Sequence, residues 1–418
     1  MTIPLSLYRA ASSVAAPLVA RHLHRRAAAG REDAARLDER FGLAPAARPT
    51  GPLVWVHGAS VGEAMSALPL IAEIEAAGAR CLLTTGTATS ARLLAERYPH
   101  ILHRFVPVDT PAAVAGFLDA WRPDAALWME SELWPNLVRE TAARGVPMAL
   151  VNARMSAGSA LNWRAARGSA ATLLNAFDLR LVQTEAINAR LLRLGADPAA
   201  THVTGDLKAS RAPDPVDAMA LSAMRAAVAA RPLWLAASTH PGDEAAALDA
   251  HMALAREGLL TIIAPRHPER GAEVAALAAA RGLSITRRSE GAGPSGDVYV
   301  ADTLGELALW YALTPVALIG GGWDGVGGHN PLEAAPHGCA ILSGDDVPSF
   351  AETYARLDGA GAVRLLPSRA EVAEAVAWAM GAEGAAMADA ARIAGAPDPE
   401  PLAKAMAHLR PLLTPVLS

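Results

Sequence analysis

From residue 51 onward, short apolar runs alternate with helical periodicity along the chain. Leu53–Val56, Cys81–Thr84, Ala125–Met129, Met148–Val151, Leu179–Gln183 and His202–Thr204 read as strands ending in polar or glycine-containing clusters. Ala209–Arg231 reads as a linker with a helical run. The pattern then restarts with Leu233–Ala237, Leu260–Ala264, Val298–Val300 and Ala340–Leu342, and ends in helices. Strand–helix alternation implies a parallel, doubly wound sheet, here one in each half. Ligands of such sheets bind beyond the carboxyl ends of the strands. The polar clusters fall at those ends, which predicts a cleft between the halves.

One stretch stands out, Leu318–Ala335, reading LIGGGWDGVGGHNPLEAA. It predicts a buried strand, a glycine-rich loop and a helix start with Asn330 as N-cap, Pro331 at the first helical position and Glu333 three residues after the cap. Such a helix start is an anion site, because its free N–H groups and dipole face the loop. Gly320, Gly322 and Gly325 match the dinucleotide fingerprint in form only. The cap falls five residues after Gly325, and the unit comes late in its half, so a nicotinamide site is rejected.

The N-terminus breaks the pattern. MTIPLSLYRAASSVAAPLVARHLHRR is apolar and then basic, and its uncharged part, Ala10–Ala20, falls short of the ~20 residues a spanning helix needs. Its alanine-rich run makes a poor signal peptide. The reading adopted is an interfacial anchor with Arg21, Arg25, Arg26 and Arg31 facing anionic lipid. The competing reading is an amphipathic helix packed on the protein.

Composition narrows the class. A length of 418 residues suits two domains at ~100–200 residues each. A net charge of −5 argues against a basic nucleic-acid binder. Two cysteines, Cys81 and Cys339, both beside apolar runs, read as core residues of a reduced compartment, and no metal motif is present.

Several strand ends carry candidate chemistry. Glu63 starts a helix behind a Gly58…Gly62 loop that lacks the lysine of a P-loop. The helix dipole lowers such a carboxylate's pKa; in a cleft it is also a candidate general base. Glu130 and Glu132 are paired acids suited to acid/base work or left as solvated strand-end residues. Lys208 is a rare lysine in an arginine-rich chain and can balance charge in a transition state. Arg266 offers a bidentate fork suited to phosphate. Asp302–Glu306 can cap a helix or hold a sugar hydroxyl. His57, His240, His267 and His329 follow strands without zinc spacing and read as polar contacts.

Together these motifs make a resemblance. VHGASVGE (Val56–Glu63), WMESELWPNL (Trp128–Leu137), VNARMS (Val151–Ser156), TGDLK (Thr204–Lys208), ASTHPGDE (Ala237–Glu244), APRHPER (Ala264–Arg270), DTLGEL (Asp302–Leu307) and GGHNPLEAA (Gly327–Ala335) occur in order across the chain. The set resembles the 3-deoxy-D-manno-octulosonic acid (Kdo) transferases of lipid A and lipopolysaccharide biosynthesis. The resemblance implies the GT-B fold, with two Rossmann-like domains facing a central cleft. It implies a membrane-associating segment at 1–45, an acceptor domain at 46–210, and a donor domain plus C-terminal helices at 211–418. The implied reaction is inverting transfer of Kdo from CMP-Kdo to the lipid A precursor, lipid IVA, at the cytoplasmic face of the inner membrane. CMP-Kdo is the donor substrate, and no cofactor, metal or nucleic acid is implied. By the same resemblance Glu63 is the general base, and Glu130 and Lys208 stabilise the transition state. Pro265, Arg266, Leu304, Gly305, Glu306, Asn330, Pro331, Leu332 and Glu333 contact CMP. The alternative is another GT-B nucleotide-sugar enzyme, a UDP-sugar transferase or epimerase.

Overall fold

A computed structural model describes residues 5–43, 48–130, 132–213, 216–254 and 257–417. Ser131 of the Trp128–Leu137 motif, and residues 1–4, 44 and 45 of the N-terminal segment, lie outside the described residues. The chain divides into two compact units, Met1–Arg211 with Asp398–Ser418, and Ala212–Pro397.

The first unit holds β1 (Leu53–His57), β2 (Arg80–Thr85), β3 (Leu102–Phe105), β4 (Ala125–Met129), β5 (Met148–Ala153), β6 (Leu179–Val182) and β7 (Thr201–Val203). They form one parallel sheet in the order β3-β2-β1-β4-β5-β6-β7. The second unit holds β8 (Leu233–Thr239), β9 (Leu260–Pro265), β10 (Ile285–Arg287), β11 (Val298–Val300), β12 (Val316–Ile319), β13 (Ala340–Gly344) and β14 (Arg364–Leu366). Their parallel order is β10-β11-β9-β8-β12-β13-β14. Helices cover both faces of such sheets, so central strands are apolar throughout; β1, β4 and β12 are buried at every position. Strand order reverses between β1 and β4 and again between β8 and β12. These are the switch points where doubly wound sheets open a crevice.

Under the first switch point, Trp55 of β1 packs edge-on against Trp128 of β4 with centroids 4.6 Å apart. Phe117 lies 4.7 Å from Trp55, and Phe177 5.7 Å from Trp128. Each such pair adds about 0.5–1.5 kcal/mol beyond its buried area. This cluster fixes the spacing of the two strands whose ends carry Glu63 and Glu130.

The helix Leu5–Ala28 packs one face on the helices Pro111–Trp121 and Pro135–Ala143. The Tyr8 hydroxyl donates to Asp109 Oδ2 (3.0 Å), Asn136 Nδ2 donates to Ser12 Oγ (2.9 Å), and Arg9 pairs with Glu140 (3.2 Å). Its outward side leaves Leu7, Val14 and Leu18 exposed. Among the described residues, no helix is long and apolar enough to cross a membrane.

Three expectations are corrected. The final helix, Glu400–Leu417, belongs to the first unit, although its residues were read as part of the 211–418 domain. Its stripe of Ala405, Met406, Leu409 and Leu413 is buried with Val54, Val56, Leu70 and Leu207; an apolar stripe does not say which sheet it will cover. The edge strands β3, β10 and β14 escaped the pattern because they are short and only partly buried. No α-helix starts at Asn330, which leads instead into the 3-10 turns Pro331–Glu333 and Ala335–His337. Pro336 has no N–H to give Leu332's carbonyl and disfavours helical geometry at Ala335.

Candidate active site

In the first unit, the turn after β1 delivers Glu63 in the first turn of the helix Val61–Ala76. Ser60, the N-cap, accepts from Glu63 N–H (3.3 Å), and its hydroxyl donates to Glu63 Oε1 (2.8 Å). Ala59 N–H donates to Oε2 (2.8 Å). Any side chain at Gly58 would crowd this carboxylate, since a Cβ there would lie 3.1 Å from the Glu63 Cβ. The helix dipole favours a lowered pKa at this position, but the Glu63 carboxyl lies above the ordinary glutamate value. Burial is the main cause, the Ser60 and Ala59 donors oppose it, and the charges of Glu130 and Glu132 add to the rise. A carboxyl raised above its ordinary range is a stronger proton acceptor, which is the direction general-base chemistry asks for.

Glu130 follows β4 in a left-handed conformation, φ +57°. Its Oε1 accepts from Lys208 Nζ at 2.8 Å. Asp206 does not compete for that ammonium: its Oδ1 takes Lys208's backbone N–H (3.0 Å) and Asn152 Nδ2 (3.1 Å). Asn152, buried at the end of β5 with φ +55°, also accepts from Leu207 N–H (2.9 Å) and so fixes the lysine-bearing turn. Left-handed non-glycine residues persist only where surrounding structure over-determines them, and they cluster at functional sites. The sequence signal for Asn152 is an asparagine, which tolerates this conformation, at the end of an apolar strand run. His57, by contrast, is core. Its Nδ1 meets Thr84 Oγ1 at 3.0 Å, and burial pushes its pKa down to about 4, so the ring is neutral.

In the second unit, three strand-end segments carry the candidate donor contacts. Pro265 closes β9, and Arg266 follows it, exposed, with its backbone N–H on Thr239 O (3.0 Å). Its guanidinium has no ion-pair partner among the described residues. After β11, Leu304 is 78% exposed and Gly305 has φ +83°. Glu306 is held by Arg288 through two bonds (3.0 and 2.6 Å) and by the Thr303 hydroxyl. The Arg288 bonds keep its carboxyl below the usual range. Asp302 is likewise held by Arg287 and Ser289, so neither acid sits free as a sugar-hydroxyl ligand. After β12, Asn330 Oδ1 caps Leu332 N–H (3.1 Å), Pro331 is buried, and Glu333 is exposed. With one turn of 3-10 helix in place of an α-helix, the dipole contribution falls away and only local N–H donors remain.

Two further residues organise this edge. Buried Asp243 accepts from His240 N–H (3.0 Å) and Gly321 N–H (2.9 Å), tying the β8 turn to the glycine loop. Arg369 grips Asp324 of that loop (3.0 and 2.5 Å), approaches Asp243 at 3.5 Å and lies 5.1 Å from the Trp323 ring centre. Glycine is required at 320, where a Cβ would meet Ser238 O at 2.6 Å. Arg288 and Arg369 carry no sequence signal of these roles, because pairing between distant segments leaves no local pattern.

Parallel, doubly wound units with polar chemistry at both switch points define the GT-B class of sugar-transferring enzymes. A family model described as 3-deoxy-D-manno-octulosonic-acid transferase (kdotransferase) matches residues 35–211. Over 376 residues the chain is 37% identical to the 3-deoxy-D-manno-octulosonic acid transferase of Bordetella pertussis, covering 84% of this chain and 86% of that protein. Two solved structures share the fold. A glycosyltransferase from Rickettsia africae matches with a TM-score of 0.57 at 10% identity, over 87% of this chain and 99% of its own. A UDP-GlcNAc 2-epimerase from Neisseria meningitidis, bound to UDP-GlcNAc, matches with a TM-score of 0.57 at 12% identity over the same shares. This chain belongs to the 3-deoxy-D-manno-octulosonic acid transferase family, and it is a glycosyltransferase.

Proposed function

We propose that the chain transfers Kdo from CMP-Kdo to a hydroxyl of the lipid A precursor, lipid IVA, with inversion at the anomeric carbon. The observation that carries this reading is Glu63: a half-buried carboxyl with raised pKa, aimed by Ser60 and Ala59, in the same field as Glu130. The acceptor O–H gives its proton to Glu63 as its oxygen bonds to the anomeric carbon. The bond from that carbon to the phosphate oxygen breaks, and CMP leaves. The Glu130–Lys208 pair holds charge in place as the transition state forms. Arg266 offsets the charge growing on the leaving phosphate; one such donor is typically worth about 10²–10³ in rate. Leu304, Gly305 and Pro265 line the nucleotide, with Glu306 as a shaped, ion-paired acceptor. CMP-Kdo is taken as the donor substrate.

The acceptor is a lipid, and the N-terminal helix supports placement on the cytoplasmic face of the inner membrane. Its outward side carries exposed Leu7, Val14 and Leu18 and then exposed Arg21 and Arg25, whose charges suit an anionic lipid surface. Donor choice tests the proposal. Incubation with lipid IVA and either CMP-Kdo or UDP-sugars, read by mass spectrometry, should give a Kdo-bearing lipid from CMP-Kdo alone. Turnover of UDP-sugars without Kdo transfer would favour the UDP-sugar alternative instead.

A further inference from the structure

His240 and His329 stand on separate loops, after β8 and after the glycine-rich segment, yet their Nε2 atoms lie 2.9 Å apart. The rings are parallel within 6° with centroids 5.2 Å apart. Such a contact holds one proton, because one nitrogen must donate and the other must accept. Both rings are partly exposed at the carboxyl edge of the sheet, beside Arg266 and His267 of the β9 turn; His267 meets His240 edge-on at 6.2 Å. The pair adds one positive charge without opening if a proton is taken at an Nδ1 atom. A second would set two N–H groups against each other.

We propose that this histidine pair is a proton-taking receptor for the donor's phosphodiester, charging only when the anion is bound. The inference rests on the reading of the second unit as a nucleotide-sugar site, and adds to it a residue pair and a coupled proton.

The charged and titratable groups around the pair fit that role. From its own turn comes Asp243, and from the glycine loop Asp324; both acids face Arg369, which partly neutralises them. From the β9 turn come Arg266 and His267. From the helix Ala351–Gly359 comes Tyr354, whose hydroxyl donates to the His329 carbonyl (3.0 Å). Burial, then His240 and Arg266, hold His329 down at about 4, with Asp243 opposing. The His329 ring of the unliganded pair is therefore neutral at pH 7. An anion at about 4 Å, in an effective dielectric of about 20, favours the charged form of such a ring by about a thousandfold.

The test is calorimetry on the full chain with cytidine 5′-methylphosphate, a phosphodiester that stays a monoanion across the neutral range. Binding at about pH 7 is measured in buffers of different ionisation heat. The expected result is uptake of about half to one proton per nucleotide, with affinity falling by up to about tenfold per pH unit above that point. His329→Gln and His240→Gln, whose amides can still hydrogen-bond, should each abolish the uptake and flatten the pH dependence, while His267→Gln keeps both. The wild-type measurement stands even if a variant folds poorly. Binding without buffer-dependent heat, or uptake lost only in His267→Gln, overturns the pair's role and leaves the nucleotide site standing. Absence of binding overturns the nucleotide reading and this proposal with it.

Discussion

Glu130 offers a test that separates stability from catalysis at one position. Replacing it with glycine removes a carboxylate from a site where the backbone is already left-handed, φ +57°. A non-glycine residue there costs about 1–2 kcal/mol, which Glu130→Gly recovers. Against this stand about 0.5–1 kcal/mol for glycine's greater freedom in the unfolded chain. The ion pair with Lys208 goes too, but the lysine side chain is 40% exposed, so its loss costs only about 0–1 kcal/mol. The backbone bond from Glu130 N–H to Val151 O (2.9 Å) survives. The sum lies within about 1.5 kcal/mol of zero, whereas loss of a charge aimed at the transition state should slow transfer by about 10²–10³. Glu130→Ala, which keeps the strain, should be the less stable of the two. Urea unfolding followed by tryptophan fluorescence gives the stability, and initial rates of transfer to lipid IVA give the activity. A glycine variant that loses more than about 2 kcal/mol, or that transfers within about threefold of wild type, would refute the reasoning.

Two more perturbations address other parts of the account. Because Glu63 must be deprotonated to act and its pKa is raised, the acidic limb of kcat/KM should lie above the ordinary glutamate range; Glu132→Gln removes one cause of the rise and should move that limb to lower pH, and an unmoved limb would break the link. Asp243→Ala strands the buried amides of His240 and Gly321 and should destabilise the protein by about 3–5 kcal/mol in denaturant unfolding; a loss below about 1 kcal/mol would mean the glycine loop is held by something else.

Much of the architecture was legible because a sheet covered on both faces demands unbroken apolar runs, as in LVWVH of β1 and AALWM of β4. What escaped is where physics leaves a weak local trace. Edge strands such as Ile285–Arg287 are short and half exposed. The helix expected at Asn330 met every capping rule and was stopped by Pro336, six residues past the cap. Glu63 was visible as a glycine-loop carboxylate, but the direction of its pKa was not, because the dipole argument is local while burial and the fields of Glu130 and Glu132 come from the fold. The histidines were visible singly; that two of them meet Nε2 to Nε2 comes from loops 89 positions apart. Arg288 was invisible as the partner of Glu306 for the same reason.

The central claim is that Glu63 takes the acceptor's proton. The most direct measurement is single-turnover transfer from CMP-Kdo to lipid IVA by Glu63→Gln, with product mass read by mass spectrometry and CMP binding measured on the same sample. The account predicts unchanged CMP affinity and loss of the Kdo-bearing product by at least about 10²-fold. Near-normal transfer by that variant would contradict it.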